Sequence, residues 1–398
     1  MSQAAPRPLS GLLVADFSRV LAGPYCTMLL ADLGADVIKV ESPAGDDTRR
    51  WTPPETTDGV STYYMAINRN KRSVALDFAR EADLTAAREL ARRADVLVEN
   101  FKPGGLVKFG LDYESVRSGN ANIIYASISG FGSGGGSHLP GYDLMVQAMS
   151  GLMSLTGDPE GPPYRSGISV FDVIAGLHTT IGILAALNYR ASTGAGQHVQ
   201  ASLMASALSG MVNQTSAYAA AGVTPFRMGN AHPSLYPYEP LPTAAGDLII
   251  TAGNDAQFRK LCDVLGAPHL ADDPRFARNA DRTANRDDLR PLLTELLAKR
   301  TAADWFGALI AVGVPCGPIN TVDQGIAFAA EIGLDPVVTA GSGATARPTI
   351  RHPLTFSATA PRYDLPPPAL DEHGDDIRSW LSEEALEAGQ QHADGQMP

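Results

Sequence analysis

The chain has 398 residues, 44% of them hydrophobic and 19% charged. This is a globular balance on a length that exceeds one ordinary core, so two domains are expected. A formal net charge of -12 argues against a nucleic-acid binder, though a few local Lys and Arg can still make a cationic pocket on an acidic protein.

Residues 12–17 read as a buried strand, 24–33 as an apolar helix stopped by Gly34, and 36–41 as a second strand. That is a strand-helix-strand unit with a short crossover, the opening of a doubly wound parallel sheet. A helix over 84–93 leads to a strand at 96–99, and a further strand is expected at 123–128. Residues 173–189 are uncharged and long, but His178, Thr179, Thr180 and Asn188 interrupt them. They read as a helix buried on all sides rather than a membrane span, which needs roughly 20 apolar residues. After a Gly194-Ala-Gly196 turn come a strand at 198–202 and a helix over 203–221. Residues 226–243 are rich in Pro, Tyr, Asn and His and read as a linker or functional loop. A strand at 248–251 and two helical segments up to residue 300 then suggest a smaller domain. The tail after Gly389 is polar and expected to fray. Cys26, Cys262 and Cys316 show no metal or disulfide spacing, and residues 1–8 carry no apolar signal segment, which points to the cytoplasm.

Several groups offer chemistry. The first strand-to-helix turn, Ser18 to Pro24, lacks G-x-G-x-x-G, so it is no nicotinamide fingerprint, yet a helix N-terminus there would favour an anion. Gly130-Phe-Gly-Ser-Gly-Gly-Gly136, with Gly134 and Gly135 at its centre, is either a surface loop or a lid. Arg69, Lys71 and Arg72, set after Tyr63 and Tyr64, suit a phosphate-bearing ligand or a solvated turn. Asp172 stands alone at the start of the apolar helix. Capping explains it, and so does a nucleophile made reactive by partial desolvation. His232 in the polar loop is a structural hydrogen-bonding residue or a general base. No G-x-S-x-G and no H-E-x-x-H occurs.

In order along the chain, Arg19-Val-Leu-Ala-Gly-Pro24, Leu33-Gly-Ala-Asp-Val-Ile-Lys-Val-Glu41, Gly45-Asp-Asp-Thr-Arg49, Asn68-Arg-Asn-Lys-Arg-Ser73, Gly141-Tyr-Asp143, Phe171-Asp172 and Gly313-Val-Pro-Cys-Gly-Pro318 resemble the class III CoA-transferases. That family includes formyl-CoA transferase, carnitine CoA-transferases and the α-methylacyl-CoA racemases. The resemblance implies an α/β fold: a Rossmann-like, doubly wound large domain over 1–225, a smaller α+β domain over 226–330, and a return segment over 331–398. It also implies an interlocked homodimer. Asp172 would be the nucleophile, carrying first a mixed anhydride and then an aspartyl-CoA thioester. Val20 and Ala22 would line the CoA path, Lys71 and Lys108 would meet phosphate, and Asn100 and Phe101 would flank the nucleotide or pantetheine. Acyl-CoA and small carboxylates are the expected partners, CoA a substrate rather than a tightly bound cofactor, with no metal, nucleic acid or membrane. Ser42 and Leu21 depart from formyl-CoA transferase, which places its oxalate specificity in question. Tyr142 stands where racemases carry histidine, and a phenol with an ordinary pKa near 10 is a poor base at neutral pH. Transfer is therefore favoured over racemisation, with a non-catalytic acyl-CoA binder as the other alternative. The N-terminal runs, including Gly45-Asp-Asp-Thr-Arg-Arg-Trp51 and Ser61-Thr-Tyr-Tyr64, look closest to enzymes that use succinyl-CoA and a dicarboxylate.

Overall fold

The structure, a computed structural model, describes residues 6–382. The polar tail after Gly389 lies outside the described residues. The main sheet holds six parallel strands: β1 (Leu13–Asp16), β2 (Asp36–Glu41), β3 (Lys71–Ala75), β4 (Val96–Glu99), β5 (Ile124–Ser129) and β6 (Gln197–Ser202). Their order is β3-β2-β1-β4-β5-β6. The chain adds strands in one direction from β1 and in the other from β4, so a crevice opens between the C-terminal ends of these two strands.

Both faces of the sheet are covered, as parallel strands require. Ala15, Phe17, Ile38, Val40, Val74, Leu97 and Tyr125 share a core with Leu84, Ala87 and Leu90 of the helix Glu81–Arg93. The alternate residues Val14, Val37, Val96 and Val98 are equally buried and face the other way. There the first helix, Ala22–Asp32, packs on the long helix Val170–Thr193. The approach is close: a Cβ on Gly176 would lie 2.7 Å from the Ala22 carbonyl oxygen.

Three local expectations need correction. The strand β3 falls where the sequence reads as a cationic turn. Lys71 and Ser73 on it are fully buried because carboxylates satisfy them. The helix expected over 203–221 is two helices, Leu203–Gly210 and Val212–Ala221, separated where Val212 takes a φ of 40°. The long helix is apolar enough to cross a membrane by length and composition, but it is not buried all round. Phe171, Ala175, Thr179, Ile183 and Ala186 are buried, while Leu177, Ile181 and Tyr189 on the remaining surface are exposed, Ile181 at 64%.

The chain divides into two compact units. The first comprises residues 6–150, 166–221 and 335–382; the second comprises Gly151–Arg165 and Gly222–Leu334. In the second, β7 (Tyr238–Pro242), β8 (Asp247–Thr251) and β9 (Cys316–Pro318) form an antiparallel sheet. It packs with the helices Asp255–Val264, Arg286–Leu297 and Ala302–Ala311 around Phe258, Leu261, Leu289, Leu293, Trp305 and Leu309. In the first unit, the returning C-terminal segment is tied to the sheet through Ala75 N–H to Asp371 at 2.8 Å and Asn70 N–H to the Leu365 carbonyl at 2.9 Å.

Candidate active site

A cavity of about 520 Å³ lies at the C-terminal ends of β1, β4 and β5, where the strand order reverses and ligands of open α/β sheets bind. Its wall includes Arg19 to Ala22 after β1, Asn100 to Pro103 after β4, and Ile128 to Gly130 at the end of β5. Tyr142, Asp143, Ser169 and Asp172 also line it.

The turn after β1 is held by side chains from two other segments. Asn100 donates to the Arg19 carbonyl at 2.7 Å and accepts the Arg19 N–H at 2.9 Å. The next residue, Val20, has φ 70°, a left-handed conformation that costs a β-branched residue energy and persists only where the surroundings fix it. Its N–H points at the Asp46 carboxylate, 3.3 Å away. Asp46 is in turn fixed by the buried Lys39 ammonium at 2.9 Å and by the Thr48 N–H at 2.9 Å. Burial opposes the charge on Asp46, but Lys39 and these hydrogen bonds outweigh it and hold the carboxyl below its ordinary range. Asn100 is thus a backbone clamp as well as a cavity residue.

Asp172 is the third residue of the long helix. Its capping explanation does not hold. The N-cap residue Ser169 makes no side-chain cap. The role is filled from elsewhere in the fold by Asp143, which accepts the N–H groups of Phe171 at 2.8 Å and Asp172 at 3.2 Å. These are two of the four donors that a helix start leaves unpaired. Gln147 completes the clamp. Its amide nitrogen donates to Asp143 and to the Ile168 carbonyl, and its oxygen accepts the Ser166 N–H at 2.8 Å. Relieved of capping, the Asp172 carboxylate accepts no hydrogen bond from any described residue. Burial, and secondarily the nearby Asp143 charge, push its pKa up to about 7. Near neutral pH the group is part carboxylate, part acid. Tyr63, which also lines the cavity, is pushed above its ordinary range by burial and by the charges of Asp172 and Asp143, and stays a phenol. Its ring sits edge-on to Trp51 at 5.0 Å.

Val20, Ala22, Asn100, Phe101, Tyr142 and Asp172 are brought together by the fold. Lys71 is not among them. It is fully buried, and its ammonium donates to Asp16 at 3.0 Å, the Pro24 carbonyl at 2.9 Å and Asn68 at 3.0 Å. With three protons committed inside the fold, it has none for a phosphate. Its pKa falls to about 8, because burial outweighs the attraction of Asp16. Lys108 is exposed, with its ammonium 4.7 Å from the Phe109 ring, and does not line the cavity. Gly130 does line it, whereas Gly134 and Gly135 stand in open space. His232 belongs to the second unit, where Nδ1 accepts the Ser234 N–H at 3.0 Å and the ring packs on Tyr238. Sequence reasoning passed over Asp47, Lys102 and His138, which also line the cavity. Asp47 belongs to the Gly45–Arg49 run that resembles the family; Lys102 and His138 belong to none of those runs. A second cavity of about 800 Å³ shares Phe101, Lys102, Pro103, Ile128 and Ser129 with the first. Among the described residues, no group of three His, Cys, Asp or Glu could hold a metal ion.

The profile of CoA-transferase family III matches residues 9–374. The chain is 44% identical to succinate–glutarate CoA-transferase of Agrobacterium fabrum over 92% of its length and 94% of that protein. It is 40% identical to acetyl-CoA:oxalate CoA-transferase of Acetobacter aceti, over 93% of its length and 95% of that protein. Among solved structures, a CAIB/BAIF family protein from Brucella suis superposes with a TM-score of 0.85 at 44% identity, covering 95% of this chain and all of that one.

Proposed function

We propose, because the chain belongs to CoA-transferase family III, that it passes CoA from an acyl-CoA donor to a carboxylic acid through covalent intermediates on Asp172. The chain is a CoA-transferase, and acyl-CoA is its substrate. The route through Asp172 is supported by one observation above all. Its carboxylate lines a cavity at the strand ends, is free of hydrogen bonds from the described residues, and is poorly solvated. A weakly solvated, raised-pKa carboxylate is a stronger nucleophile than a hydrated one.

An Asp172 oxygen attacks the thioester carbonyl, the C–S bond breaks, and CoA leaves as thiolate, giving a mixed anhydride. The thiolate attacks the aspartyl carbonyl, the donor acid departs as carboxylate, and an aspartyl-CoA thioester remains. The acceptor carboxylate then displaces the thiolate to form a second anhydride. Finally, the thiolate attacks the acceptor's carbonyl, releasing new acyl-CoA and free Asp172. Thioester energy is kept in covalent form throughout, provided water is excluded. Leu21 and Ala22 on the wall lie at the start of the first helix, whose N–H groups and dipole favour each oxyanion.

The donor is succinyl-CoA and the acceptor a small dicarboxylate; succinyl-CoA:glutarate CoA-transferases of mouse and human, 38% and 37% identical, support this choice. The working form is an interlocked homodimer, for which the exposed Leu177, Ile181 and Tyr189 of the long helix supply an apolar surface that a second copy would cover. The three cysteines are free, which supports a cytoplasmic setting. The test is incubation with succinyl-CoA and a panel of carboxylates, following new acyl-CoA by mass. Wild type should give transfer and a hydroxylamine-sensitive CoA adduct, both abolished by Asp172→Ala. Turnover retained in that variant would remove Asp172 from the chemistry.

A further inference from the structure

A charge cluster borders the cavity. Asp47 accepts from Arg19 Nη1 at 3.2 Å and from Arg50 Nη2 at 3.1 Å, so two guanidinium groups share one carboxylate, with Arg50 outside the cavity wall. Arg19 and Asp47 line the same cavity as Asp172. The Arg19 side chain stays 64% exposed, which leaves part of its donor fork free. The main chain beneath it is held at several points: Asn100 grips the Arg19 N–H and carbonyl together, and the strained Val20 follows, tethered to the buried Asp46–Lys39 pair. A plain strand-to-helix turn needs none of this. Strain held in place by so many partners marks a position whose geometry matters.

We propose that Arg19 is the specificity-determining residue of the transfer site, taking the distal carboxylate of a dicarboxylate acyl group while the proximal carboxyl reacts at Asp172. The inference rests on the transfer reading above. A planar fork suits a carboxylate, which it can meet through two parallel hydrogen bonds. The other lining lysine or arginine, Lys102, sits beside Asn100 and Phe101 and also borders the neighbouring cavity; as a point charge it suits the phosphates of CoA. An acid lacking the distal carboxylate would forgo the charge-assisted hydrogen bonds to the Arg19 fork.

The experiment compares glutarate with pentanoate, two five-carbon acids that differ only in the distal carboxylate, as acceptors from succinyl-CoA. Wild type should favour glutarate. In Arg19→Leu the glutarate-to-pentanoate ratio of kcat/KM should fall by about 10- to 100-fold, the worth of one charge-assisted hydrogen-bonded pair. Arg19→Lys should fall between, since it keeps the charge and loses the fork. Arg19→Gln replaces Arg19→Leu if circular dichroism shows that variant unfolded. A ratio unmoved by substitution overturns the proposal, as does an equal rise in KM for succinyl-CoA and butyryl-CoA, which would assign Arg19 to the CoA moiety. Transfer to pentanoate with none to glutarate in wild type sinks the Arg19 assignment and leaves transfer standing. No acyl-CoA from any acid in wild type sinks the transfer reading itself.

Discussion

The Asp143 carboxylate accepts the backbone N–H of Asp172 at 3.2 Å, and the same charge disfavours ionisation of the Asp172 side chain. One residue therefore fixes the position of the candidate nucleophile and tunes it. Substitutions separate the two effects. Asp143→Asn keeps an acceptor oxygen and removes the charge. The rising limb of kcat/KM against pH should move to lower pH, while burial, the larger cause, keeps it above the ordinary carboxylate range. Asp143→Ala removes the acceptor as well, leaving two helix donors unpaired. There kcat should drop by about 100-fold, the scale expected when a reacting group is displaced by an ångström. pH-rate profiles of both variants distinguish tuning from positioning.

Asp172 itself makes a stability prediction. Its folded pKa near 7 lies above the ordinary value near 3.9 of an unfolded aspartate. Between these values the folded state binds the extra proton, so this residue's contribution to stability falls as pH rises from about 4 to 7 and is level above. Asp172→Asn removes that cost. The melting temperature of the variant should exceed that of wild type at pH 8, and the gap should shrink at pH 5. A gap that is constant with pH would mean that Asp172 titrates normally. The same pKa predicts that wild-type kcat/KM rises with pH and levels off above about 7, as the attacking carboxylate forms.

How far the sequence revealed this site depends on which partners lie nearby in the chain. The strands β1, β2, β4 and β5 were legible as apolar runs because both their faces are buried. β3 was not, because Lys71 and Arg72 signal solvent unless the distant carboxylates that neutralise them are known. Asp16 pairs with Lys71 across 55 positions, and Asp36 pairs with Arg72 across 36. Asp172 could be read either as a cap or as a nucleophile, since spacing fixes its place on the helix and not its partner. The deciding residue, Asp143, lies 29 positions upstream. Arg19 belongs to one of the runs that resemble the family, but its partners Asp47 and Asn100, the latter 81 positions away, are brought to it only by the fold. Motif order conveyed the family; the partners of Asp172 and Arg19 required the fold.

Lys71 is expected to act on stability and not on CoA affinity. It is fully buried against Asp16, and removing one partner of such a pair strands the other charge. Lys71→Ala should destabilise the protein by about 3–5 kcal/mol, read from the urea midpoint at constant slope. Protein that remains folded should keep the wild-type KM for acyl-CoA. A raised KM with unchanged stability would restore Lys71 to the phosphate site.

The placement of Asp143 traces to two glycines. A Cβ on Gly130, at the end of β5, would lie 2.3 Å from the Gly141 Cα, and one on Gly141 would lie 2.8 Å from the Gly130 Cα. Neither distance is compatible with a side chain, so the two backbones touch only because both residues are glycine. This contact sets Tyr142 and Asp143 beside the strand ends, within reach of the helix that bears Asp172. Gly130→Ala must push residues 141–143 away, lengthen the Asp143 bonds to Phe171 and Asp172, and loosen the nucleophile. Its kcat should fall by about 10- to 100-fold, with a melting temperature a few degrees lower. Gly135→Ala meets nothing within 4 Å and should fold as wild type. A matching loss of rate there would assign the loop tip to closure over the cavity, whereas wild-type turnover in Gly130→Ala would show that Asp143 does not depend on this contact.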